Sequence, residues 1–81
     1  MERILVSAPA LRVLLNLELA TLDFCEGVEV QKLLVHPVAD ADGCNWEVAA
    51  YSGLPRDEQH RSLVEAVIAS QRYRYNVGKR G

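Results

Sequence analysis

Residues 28–52, VEVQKLLVHPVADADGCNWEVAAYS, constrain the fold more than any other stretch of the chain. β-Branched and aromatic residues run on both sides of Asp42-Gly43, a dipeptide that readily takes the left-handed conformations of a tight turn. The pattern predicts two antiparallel strands joined as a hairpin. In the second strand Cys44, Trp46, Val48 and Ala50 share one face, and Asn45, Glu47, Ala49 and Tyr51 the other. Trp46 is the only tryptophan, the largest apolar side chain to bury, and its face is assigned to the core.

The first strand admits two registers, because Leu33, Leu34 and Val35 are apolar in succession. A two-residue Asp42-Gly43 turn sets Leu33, Val35, Pro37 and Ala39 on the Trp46 face. A three-residue turn over 41–43, with Gly43 left-handed, sets Val28, Val30, Leu34, His36 and Val38 there. Pro37 favours the second: it then faces Glu47 in a non-bonded pair, instead of costing a ladder bond opposite Val48. The first strand becomes a sheet edge near Pro37.

Helices are expected on both sides of the hairpin. Ser7 and Pro9 form a start signal, a capping hydroxyl followed by a proline where no amide donor is required. Ala10 to Phe24 follows, rich in Leu, Ala and Glu, with Gly27 as its stop. Its apolar residues cover more than the ~100° stripe that a one-sided surface helix needs, so a second copy of the chain is expected to cover part of it. Pro55 opens the other helix, with Asp57 and Glu58 in its first turn and an inward stripe of His60, Leu63, Val64, Val67, Ile68 and Gln71. Two short runs stay open between strand and other states, Glu2 to Val6 and Arg72 to Val77. With both as strands the order is βαββαβ, the ferredoxin-like arrangement. Against the last strand, no turn residue separates Ile68 from Tyr75.

Composition bounds the rest. With 81 residues, 49% apolar and 25% charged, the chain reads as one small α+β domain over 1–81: an antiparallel sheet on the hairpin with two helices on one face. No uncharged apolar run approaches the ~18 residues of a membrane span. Cys25 and Cys44 are too few for a disulfide framework and read as buried free thiols, so the cytoplasm is the expected compartment. All eleven acids precede residue 66, while 72–81 carries Arg72, Arg74, Lys79 and Arg80 and no acid. An acidic body thus ends in a basic segment, with 76–81 as a short tail.

Chemistry is sparse. Asp40-Ala41-Asp42-Gly43 shares part of a calcium-loop pattern, but with Gly43 aligned, Val38 and Ala49 stand where acidic ligands belong. Cys25, His36, Cys44 and His60 are zinc-ligand types without the close pairs that zinc sites use. A thiol nucleophile would need Cys25 or Cys44 beside His36 or His60, and nothing local supports activation. No glycine-rich phosphate loop is present. The expectation is a non-catalytic protein without cofactor or metal, an interaction module that self-associates through its first helix or a sheet edge, as a dimer. The alternative is nucleic-acid binding by Arg72, Tyr73, Arg74, Tyr75, Lys79 and Arg80, which interleave cations with stacking rings. The paired aromatics of an RNA-recognition motif are not present on the central strands.

Overall fold

The computed structural model describes residues 3–25 and 27–78. The elements run β1 (Ile4–Val6), α1 (Ala8–Ala20), a 3₁₀ turn (Asp23–Cys25), β2 (Glu29–Val35), β3 (Trp46–Ser52), α2 (Glu58–Arg72) and β4 (Tyr75–Val77). The protein is α+β with the order βαββαβ, so both open runs are strands where they are described. The pairing is its own: β2 and β3 form an antiparallel ladder, and β1 and β4 a separate parallel one.

Local chemistry accounts for both helix starts. Ser7 Oγ accepts from the Ala10 amide at 3.3 Å, with Pro9 in the first turn, and Asp57 caps α2 through the His60 amide at 3.3 Å. α1 buries Leu11, Leu15 and Leu19, one residue per turn. It ends at Ala20, short of the predicted Phe24, and the chain continues as the 3₁₀ turn. α2 buries Val64, Ile68 and Gln71, whereas His60 and Leu63 of the predicted stripe are exposed. The inward face is centred on Val64 and is narrower than the sequence pattern.

The hairpin follows neither predicted register. Val35 pairs with Trp46 and Leu33 with Val48, and His36 N–H donates to Asn45 O at 2.7 Å. The tight turn nevertheless forms as expected over 41–43, where Asp40 N–H donates to Cys44 O at 2.8 Å and Gly43 is left-handed at φ +87°. Between these two pairs, residues 37–39 leave the ladder on one side only. Pro37, which cannot donate, lies in this excursion and not in a strand, and Val38 is exposed. A second irregularity at Val30–Leu33 shifts the faces again. Val28, Val30 and Leu33 meet the core from β2, with Trp46, Val48 and Tyr51 from β3, while the predicted Leu34 and Ala50 are exposed.

The two ladders are joined by side chains. Asn45 Nδ2 donates to Val77 O at 2.8 Å while its Oδ1 accepts from Val77 N–H at 2.9 Å, so one amide replaces a neighbouring strand. Asn76 Nδ2 donates to Gly43 O at 2.9 Å, and the Trp46 indole donates to Tyr75 O at 2.9 Å. Asn16 of α1 treats β2 in the same way, with Oδ1 accepting from Val30 N–H at 2.6 Å and Nδ2 donating to Val30 O at 3.3 Å. Trp46, fully buried, sits among Leu11, Leu15, Leu19, Val30, Val64 and Ile68 in one core cluster.

β4 follows α2 without a glycine, contrary to the turn argument. Tyr73 and Arg74 bridge the two, their amides folding back on Ser70 O and Gln71 O. Arg3 supplies what a cap residue would, its Nε donating to Arg72 O at 2.8 Å.

Candidate functional site

Two surfaces stand out once the core is filled: the basic–aromatic corner where α2 meets β1 and β4, and the outer face of α1.

At the corner, the predicted nucleic-acid residues separate into different roles. Arg72 Nη2 pairs with Asp40 Oδ2 at 2.7 Å. Asp40 is itself a turn organiser, since its Oδ1 accepts from Cys44 N–H at 3.0 Å and Asp42 N–H at 2.9 Å. The Cys44 amide, the Asp42 amide and Arg72 together hold the Asp40 carboxyl below its ordinary pKa. Arg72 is therefore a structural brace. Tyr75 lies in β4 and packs against the core. Tyr73 is 63% exposed and Arg74 is exposed, with its guanidinium 5.6 Å from the Tyr75 ring centroid. Lys79 and Arg80 lie outside the described residues, and the segment read as a tail from 76 begins inside β4.

Arg3 is the residue that sequence reasoning missed. Its guanidinium lies 5.8 Å from the Tyr73 ring centroid, and Nη2 donates to Asp42 O at 2.8 Å. It lies at the opposite end of the chain from Arg72, and only the parallel pairing of β1 with β4 brings them together. A cavity of about 230 Å³ opens there between Arg3, Asp42, Cys44, Ala69, Arg72 and Tyr73.

The thiols and imidazoles are engaged separately. Cys44 is buried, and its Sγ–H donates to Trp46 O at 3.3 Å. Cys25 is also buried, and desolvation pushes its thiol pKa up, away from the reactive thiolate. His36 Nε2 lies 3.2 Å from Glu47 Oε2, and His60 Nδ1 pairs with Asp57, whose carboxyl is held below its ordinary pKa first by that side-chain bond. Among the described residues no group of three or more His, Cys, Asp or Glu side chains is placed to hold a metal ion.

The outer face of α1 is of another kind. Pro9, Ala10, Val13, Leu17, Ala20 and Thr21 are all exposed and none is charged. Val13 is 53% and Leu17 60% exposed. The helix's charged residues, Arg12 and Glu18, stand on its flanks towards the sheet and α2. Ala10, Val13, Leu17 and Ala20 follow one another at spacings of three, four and three, the seam of a helix that packs against another helix. α2 presents Gln59, Ser62, Glu65 and Ala69 outward, an ordinary solvated face. Among the described residues no helix is long and apolar enough to cross a membrane. No family model, curated protein or solved structure matches the chain.

Proposed function

We propose that this protein is a non-catalytic interaction module that self-associates, and that the outer face of α1 is the surface it uses. The observation that carries the reading is the uncharged, exposed seam of Ala10, Val13, Leu17 and Ala20 in a chain whose residues are 25% charged. The sheet edges are weaker choices. Asn16 occupies the backbone of β2 at Val30, and Asn45 with Trp46 occupies β4, so side chains already take the places an added strand would use. The two buried free thiols support a cytoplasmic setting. A concentration series of amide NMR spectra tests the reading. The amides of Ala10, Val13, Leu17 and Ala20 are expected to shift together as concentration rises, and shifts absent there or confined to β1 would overturn it.

A second reading rests on Arg3. Together with Tyr73 and Arg74 it makes a basic–aromatic corner that fits single-stranded nucleic acid through stacking and phosphate contacts. It ranks lower because Asp40 neutralises Arg72, and because the body of the chain is acidic. Tyr73→Ala combined with Arg74→Glu is expected to weaken any binding to a single-stranded oligonucleotide at least about tenfold at low salt. Equal binding by the variant and the natural chain excludes the corner.

A further inference from the structure

We infer that two copies pair through α1 in antiparallel fashion, about a twofold axis level with position 15, so that Val13 of one copy meets Leu17 of its partner and Ala10 meets Ala20. The inference rests on the self-association reading above and specifies its geometry.

The seam is symmetric in residue size. Ala10 and Ala20 lie equally far from position 15, and so do Val13 and Leu17, as do the uncharged Pro9 and Thr21 at the margins. A twofold interface requires a patch to be complementary to itself, each residue meeting its symmetry-related counterpart. Reversal of the partner helix yields two central layers of one Val and one Leu each, equal in thickness, closed at both ends by Ala on Ala. Parallel pairing instead stacks Val on Val and Leu on Leu, leaving one thin layer beside one thick one. Antiparallel helices also bring opposite dipole ends together.

Other occupants fit less well. A membrane surface recruits amphipathic helices through basic residues beside the apolar face, and α1 offers only Arg12, on the side turned towards the sheet. A charged peptide finds no counter-charge along the seam. A short helical seam on each copy buries less than the ~1,200 Å² of a stable complex, so the pair is a weak one that forms at micromolar concentration and above.

Position-specific cross-linking separates orientation from association. Both native thiols are 1% exposed, so the unmodified chain is the blank. ¹⁵N-labelled Ala10→Cys is mixed with unlabelled Ala20→Cys and treated with a bis-maleimide. Ten residues of helix span about 15 Å, so a reagent reaching about 10 Å cannot bridge the two Ala10→Cys thiols of an antiparallel pair. The expected result is covalent dimers of mixed isotope mass in the mixture, at least about tenfold more abundant than dimers in either variant alone. Cross-linking within each variant alone, with little in the mixture, overturns the antiparallel geometry and leaves self-association standing. Absence of cross-links in every sample, together with a monomeric mass, overturns both.

Discussion

Trp46→Ala is expected to cost the fold about 4 kcal/mol, the usual penalty for deleting a fully buried indole from a core. A domain of this length has total stability on the order of 4–12 kcal/mol, so the variant should lie near its unfolding midpoint in water. Two losses add here. The ring fills the space between α1, β2 and α2, and its N–H holds Tyr75 O at 2.9 Å, one of the few bonds joining the two ladders. Asn45→Ala isolates the second term. It removes no core volume but strips both backbone groups of Val77 of their partner, at about 1–3 kcal/mol for each group left unsatisfied. Urea unfolding followed by circular dichroism checks both: the midpoints should fall, Trp46→Ala further than Asn45→Ala. A change under about 0.5 kcal/mol for Asn45→Ala would mean that solvent replaces the amide and that β4 is held by β1 alone.

Leu17→Glu should have the opposite profile, a large effect on association and a small one on stability. Leu17 is 60% exposed, and surface substitutions away from packing features normally change stability by no more than about 0.5 kcal/mol. In the antiparallel pair, however, each new carboxylate would be desolvated against the partner's Val13 with no cation near it. Dimerisation should vanish across the accessible concentration range while the urea midpoint stays where it was. Lower stability with unchanged association would mean that the seam is part of the monomer's own packing.

The contrast follows how much of each feature could be read from local sequence. Helix starts at Ser7 and Asp57, the left-handed turn at Gly43 and the burial of Trp46 all depend on residues within a few positions of one another, and each is where the pattern puts it. The strand register is not. It depends on residues 37–39 leaving the ladder and on irregularities near Gln31, neither of which alters the apolar alternation. The lack of a turn residue argues against β4, and its actual supports are Arg3, Asn45 and Trp46, whose bonds connect distant parts of the chain. The Gly43-Cys44-Asn45-Trp46 run stands out in the sequence, but its role as the joint between two ladders appears only when its partners are in place. On the functional side, the excess apolar surface of α1 was legible from periodicity, whereas Arg3 carried no signal linking it to Tyr73. Only the fold puts the two together.

The exposed seam of α1 is the centre of the functional reading, and sedimentation velocity on the natural chain and Leu17→Glu, over the same concentration series, tests it most directly. The account predicts that the natural chain shifts from monomer towards dimer as concentration rises through the micromolar range, while Leu17→Glu remains a monomer throughout. A natural chain that stays monomeric at every concentration, or a Leu17→Glu variant that associates as the natural chain does, would contradict it.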